Sequence, residues 1–295
     1  MKDINSVRLW TALITPMKQD GSVDYECLKK LCIEQQEAGN GILVLGSTAE
    51  ALNLNNDEKT EIFNFVSELN LTTPLMAGVG GINLEATTED ITQLNRLNYD
   101  CYLLVTPLYA KPGEKGQTHW FKSLLDHSKR PCMLYNVPGR TGASLNLQTV
   151  SSLKDHSNFW AIKEASGSPI EFEKYVKTSS PKKVYSGDDA MLEDYSKIGC
   201  QGLVSVASNS WPKQTNLYTN LTLSNELGGD HQWKEWSNNL FLASNPVPVK
   251  ALMASNGQIQ SAICRAPLSH EDMKELELLS KSNQEVNSWY NSKIN

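Results

Sequence analysis

The apolar segment "NFWAIKEASG" (158–167) runs straight into Lys163 and Glu164. Burying a lysine as its ammonium is costly. Apolar walls disfavour the charged form and lower the pKa from its free value of ~10.4. The neutral amine can then attack a ketone, and the protonated Schiff base that results is an electron sink. An ion pair is the competing use. Glu164 is excluded as the partner, because strand neighbours point to opposite faces, but a partner elsewhere in the chain stays open. Other residues offer matching chemistry. Tyr135 could relay the protons that imine and carbon–carbon bond formation move, or could be an ordinary core tyrosine with a satisfied hydroxyl. Ser47 and Tyr109 are weaker signals, and Ser47 could merely cap a turn. Arg140, in a Gly-Arg-Thr-Gly turn, could clamp a carboxylate in a bidentate pair or remain a solvated charge. The backbone of "GSTAE" (46–50) could offer N–H groups to a second carboxylate.

These residues need a frame that gathers them. Eight short apolar runs recur: "LWTALITPM" (9–17), "GILVLG" (41–46), "PLMAGVG" (74–80), "CYLLVTP" (101–107), "PCMLYNVP" (131–138), "FWAIKEAS" (159–166), "KVYSGDD" (183–189) and "GLVSVAS" (202–208). They lack the alternation of a strand with one wet face, so they read as parallel strands covered on both sides. Helical stretches with capping residues lie between them, such as "DYECLKKLCIEQQEAGN", "NNDEKTEIFNFVSEL" and "NLEATTEDITQLNRL". The pattern predicts an α/β fold, a (β/α)8 TIM barrel, over residues 1–210. An open doubly wound sheet is the alternative, but "ITPMKQDG" stands where its dinucleotide fingerprint belongs. Residues 211–295 read as a C-terminal helical extension, with Trp233, Trp236 and Leu240 on one helix face.

A parallel barrel does its chemistry at the C-terminal ends of its strands. Those ends carry Ser47, Thr48 and Glu50, then Thr106 and Tyr109, Tyr135, Asn136 and Arg140, Lys163 and Glu164, "SGDD" (186–189) with Gly187, and "SVASN" after Val204. Phosphate in such barrels is usually held after strands seven and eight. Asp188 and Asp189 there would repel it, which favours an unphosphorylated keto acid and weighs against pyridoxal phosphate.

The composition agrees. The 295-residue chain has a net charge of -6, which argues against nucleic-acid and membrane-surface partners. No apolar run approaches the ~20 residues of a spanning helix, and "MKDINSVRLW" has no signal-peptide core. Six cysteines without a C-x-x-C pair read as reduced thiols of a cytoplasmic protein. The five histidines are dispersed without metal-ligand spacing.

The segments "YNVPGRTG" (135–142), "IKEASG" (162–167), "GSTAE" (46–50), "VTPLYAKPGEKG" (105–116), "SGDD" (186–189) and "NPVPVKALM" (245–253) resemble the signature segments of the dihydrodipicolinate synthase family. They occur in the family's order across nearly the whole chain. The resemblance implies a barrel with a three-helix extension, usually a homotetramer, and no metal or organic cofactor. It implies condensation of pyruvate with L-aspartate 4-semialdehyde in lysine and diaminopimelate biosynthesis, through a Schiff base on Lys163. Tyr135 and Ser47 match the family's proton relay, with serine in place of the usual threonine. Tyr109 matches a tyrosine that reaches into the neighbouring subunit's site. Thr48 matches a pyruvate-carboxylate contact, Arg140 the semialdehyde-carboxylate contact, and Val204 a strand-eight residue whose backbone lies beside the site. Gly187 completes the substrate-side candidates. Two departures stand out. Ala49 replaces the family's usual glycine, which would strain a positive φ by about 1 kcal/mol. Asn56 and Lys59 replace histidines of lysine-inhibited members, and Leu108 replaces a tyrosine, so weak or absent lysine inhibition is expected. Another pyruvate aldolase acting on sugar acids is the nearest rival, against which Arg140 argues. A non-catalytic ligand-binding relative is the other, against which the intact set of Lys163, Tyr135, Ser47 and Tyr109 argues.

Overall fold

The computed structural model describes residues 2–294. Eight parallel strands close into a barrel in sequential order. They are β1 (Leu9–Ala12), β2 (Gly41–Val44), β3 (Leu75–Val79), β4 (Cys101–Val105), β5 (Cys132–Asn136), β6 (Phe159–Glu164), β7 (Lys183–Ser186) and β8 (Leu203–Ser205). Each lies within one of the eight apolar runs. Most strand residues are buried, because helices cover the outside and side chains fill the inside. Trp10, Leu43, Met76, Leu103, Met133, Ala161, Tyr185 and Val204 form the inner core. Leu9, Ile42, Val44, Leu104, Leu134 and Ile162 face the helices in a separate, larger core.

One irregularity in this alternation matters for the site. Cys132 of β5 pairs with Phe159, but Met133 pairs with Ala161. Strand β6 therefore carries one extra residue, Trp160, opposite β5. Phe159 faces the helices, whereas Trp160 and Ala161 both pack on the inner core. Such a bulge reverses the in–out phase of all that follows. Lys163 consequently projects inward beside its register partner Tyr135, and Glu164 projects outward beside Asn136. The Trp160 ring wedges between Trp10 and Tyr185, at centroid distances of 6.2 and 5.6 Å.

The intervening helices begin on the expected caps. Asp24 caps Tyr25–Glu37, and Asn83 caps Leu84–Leu94. Asn55 and Glu58 form a reciprocal capping box on Asn56–Glu68. After β8, helix Pro212–Leu223 packs along β1 and the short helix Leu192–Ser196. Three further helices follow: Trp233–Asn239, Val247–Ser255 and Leu276–Ile294. Trp233, Trp236 and Leu240 are all buried. Trp233 stacks on Tyr218 of the preceding helix at 4.0 Å and meets Trp289 of the last helix edge-on at 5.7 Å. This aromatic cluster holds the extension to the barrel wall. No helix among the described residues is long and apolar enough to cross a membrane.

Candidate active site

Lys163 is 4% exposed, and its Nζ lies 4.3 Å from the centre of the Tyr135 ring. Burial pulls its pKa down to about 7; the Asp189 carboxylate opposes that shift and the Arg140 guanidinium adds to it. No salt bridge to Lys163 is formed among the described residues. A substantial share of this amine is therefore neutral near pH 7. Gly187 makes room for it, since a Cβ at that position would lie 2.7 Å from Lys163 Cε. Burial pushes the Tyr135 phenol up to about 12, against the pull of Arg140 and of a hydrogen bond with Ser47. Tyr135 thus keeps its proton at neutral pH, with the Ser47 hydroxyl beside it.

Ser47 and Thr48 sit in the 3-10 turn Ser47–Ala49 after β2. The chain turns sharply there because Leu45 and Glu50 adopt left-handed φ values of 56° and 58°. Gly78 allows it, since a Cβ at that position would approach Leu45 O to 2.4 Å. Ala49 lies inside the turn, and the strained φ values fall on its neighbours. The glycine-to-alanine departure therefore carries no backbone penalty, and the Ala49 carbonyl accepts a 2.8 Å hydrogen bond from Thr15. Ser47, Tyr135 and Arg140 line one cavity of about 900 Å³. Asn56, Lys59 and Leu108 line the same cavity. Val204 is fully buried in the inner core. Tyr109 stands apart, 88% exposed at φ 61°.

Residues outside the candidate catalytic and substrate-binding set shape the mouth as well. The Asp189 carboxylate accepts from Ser205 Oγ and from the backbone N–H groups of Val206 and Ala207. Its burial raises its pKa to about 6. Those N–H groups follow β8, where barrels usually hold phosphate. An internal carboxylate already accepts from both, so they are not free donors for a phosphate. Glu164 accepts from Asn136 Nδ2 at 3.1 Å and from Ser166 N at 2.6 Å, tying the ends of β5 and β6 together.

The C-terminal extension also reaches the site. Lys250 Nζ donates to Glu50 Oε1 at 2.7 Å with both side chains wholly buried, and Arg265 N donates to Glu50 Oε2. Lys250 lies in "VPVKALM", an apolar run interrupted by one lysine. That is the same signal that drew attention to Lys163, and it marks a buried ion pair here. Lys250→Met should lower unfolding stability by about 3 kcal/mol, because it strands the Glu50 charge. Adding Glu50→Gln should recover most of that loss. A urea titration in which Lys250→Met matches the wild-type midpoint would refute the expectation.

A closed β/α barrel with a desolvated lysine, a protonated phenol and an arginine at its mouth has the parts of a lyase of the Schiff-base-forming class I aldolase superfamily. The profile of the dihydrodipicolinate synthetase family matches residues 5–285. A Francisella philomiragia protein named 4-hydroxy-tetrahydrodipicolinate synthase is 45% identical over 98% of both chains. The solved 4-hydroxy-tetrahydrodipicolinate synthase of Methylacidiphilum fumariolicum SolV superposes with a TM-score of 0.90 at 27% identity, covering 97% of each chain. The chloride-inhibited dihydrodipicolinate synthase of Acinetobacter baumannii, solved in complex with pyruvate, gives a TM-score of 0.86 at 30% identity. It covers 95% of this chain and 99% of its own. The chain belongs to the dihydrodipicolinate synthetase family.

Proposed function

We propose that this chain condenses pyruvate with L-aspartate 4-semialdehyde to 4-hydroxy-tetrahydrodipicolinate, with Lys163 as the nucleophile. The observation that carries the reading is the inward, desolvated Lys163 amine packed on the Tyr135 ring. The neutral amine adds to the pyruvate ketone, and loss of water gives the protonated imine. Loss of a methyl proton gives the enamine, whose carbon attacks the semialdehyde aldehyde. The substrate's own amine then adds to the imine carbon and expels Lys163, closing the ring and freeing the enzyme. One water is released overall. Tyr135 and Ser47 move the protons, with Tyr109 completing the relay from a neighbouring subunit of a homotetramer. Thr48 takes the pyruvate carboxylate, and Arg140 takes the semialdehyde carboxylate as a fork. Gly187 and Val204 shape the wall around the imine. The enzyme works in the cytoplasm and needs no cofactor.

Purified protein should consume pyruvate fastest with aspartate semialdehyde when sugar aldehydes are offered in parallel. A preference for a sugar aldehyde would keep Lys163 chemistry but move the chain to a sugar-acid aldolase function.

Lysine should inhibit weakly or not at all. Lys59 brings a cation to the cavity, where its charge already bears on the exposed Asp90 carboxylate. It would repel the ammonium of an incoming lysine. A steep drop in rate at modest lysine concentration is the result that would count against this.

A further inference from the structure

Resting on the pyruvate reading of this mouth, we propose that Asn245 is a positioning residue whose side-chain amide orients the Thr48 hydroxyl toward the substrate carboxylate. Asn245 Nδ2 donates to Thr48 Oγ1 at 3.0 Å, a buried contact between residues 197 apart in the chain. A hydroxyl that accepts one hydrogen bond still has its own proton to give. Asn245 therefore sets the polarity of Thr48, making it a donor toward an anion.

The contact is braced on both sides. Two residues after Thr48, the Glu50 carboxylate is gripped by Lys250 at 2.7 Å and by Arg265 N at 2.6 Å. Lys250 lies in helix Val247–Ser255, which begins just after Asn245. The turn and the extension thus cannot drift apart without breaking a buried ion pair. The main-chain carbonyl of Asn245 accepts from Arg140 Nη2 at 3.2 Å. One residue from outside the barrel strands therefore touches both side chains proposed to hold substrate carboxylates. Asn245 Oδ1 is buried with no hydrogen-bond partner. Only the donor end is engaged, and it is engaged on Thr48.

Aspartate at this position has the same shape but only accepts when ionised, so it would turn the Thr48 proton toward itself. The test uses the full-length chain with Asn245→Ala, Asn245→Asp, Thr48→Val and the two double variants. Pyruvate KM, semialdehyde KM, kcat, the urea midpoint and borohydride trapping of pyruvate on Lys163 are measured for each. Asn245→Asp should raise pyruvate KM by about tenfold, the scale of one hydrogen bond to a charged group. Asn245→Ala should raise it less. Semialdehyde KM should hold, because Arg140 is gripped by the backbone. In the Thr48→Val background, neither Asn245 change should add more than about twofold. The role is overturned if pyruvate KM is unchanged, if the Asp and Ala variants behave alike, or if the effects add fully to Thr48→Val. It is also overturned if KM, kcat and the urea midpoint all fall together. Wild-type protein that traps no pyruvate adduct would overturn the pyruvate reading and this role at once. A wild-type adduct without coupling to Thr48 would overturn the Asn245 role alone.

Discussion

Lys163→Met should lower turnover by roughly a thousandfold or more, the scale seen when a covalent nucleophile is removed, and should stabilise the fold at pH 7. Both effects follow from the same burial. The amine titrates near 7 in the folded chain against an ordinary value of 10.5. Between those values the unfolded chain binds a proton that the folded chain lacks, so stability rises with pH through this window. Below pH 7 both states are protonated and the full cost of burying the ammonium is present, on the order of a few kcal/mol. Methionine has a similar length and no charge, so it removes that cost. The stability gain of the variant should be largest at and below pH 7 and should shrink toward pH 10. In the wild type, kcat/KM for pyruvate should rise about tenfold per pH unit below 7 and level off above, because only the neutral amine attacks. A variant that turns over like wild type would end the assignment of Lys163. A flat stability difference across pH 6–10 would end the account of its pKa.

Tyr135→Phe should slow the reaction by about a thousandfold, within the range for loss of a positioned acid–base group. The ring contact with Lys163 and the inner-core packing both survive this change. Only the hydroxyl and its hydrogen bond with Ser47 are lost. The phenol is held protonated because burial lifts its pKa to about 12. It can therefore donate to a departing oxygen and recover the proton through Ser47. The variant should keep nearly the wild-type urea midpoint while borohydride trapping of the pyruvate adduct slows with kcat. Imine formation at the wild-type rate would show that the proton moves by another route.

Much of this protein was legible in its sequence, for local reasons. Eight apolar runs became eight strands because burial on both faces demands unbroken apolar residues. Asp24, Asn55 and Asn83 marked helix starts because the first turn has N–H groups that need an acceptor. The candidate site residues stand at or just after strand ends because a parallel barrel leaves one rim open for chemistry. The same local reasoning assigns Ala49 a strain that the turn does not impose on it. The left-handed residues of that turn are Leu45 and Glu50, and Gly78 on the next strand makes the first of them possible.

Three features needed the folded chain. The Asn245–Thr48 and Lys250–Glu50 contacts join residues 197 and 200 apart, and no spacing rule reaches that far. Asp189 looked like a charge at the mouth, yet it is spent on the turn after β8. The last feature is the direction of Lys163 itself. By sequence alone, strict alternation gives Lys163 the same face as Phe159, and Phe159 faces the helices. The sequence determined that a lysine would end an apolar strand, and so that its amine would be desolvated. Only the closed barrel decided that it points inward to Tyr135. Packing of Trp160 between Trp10 and Tyr185 inserts one residue opposite β5, and a shift of one residue in a period of two turns every later side chain to the other face.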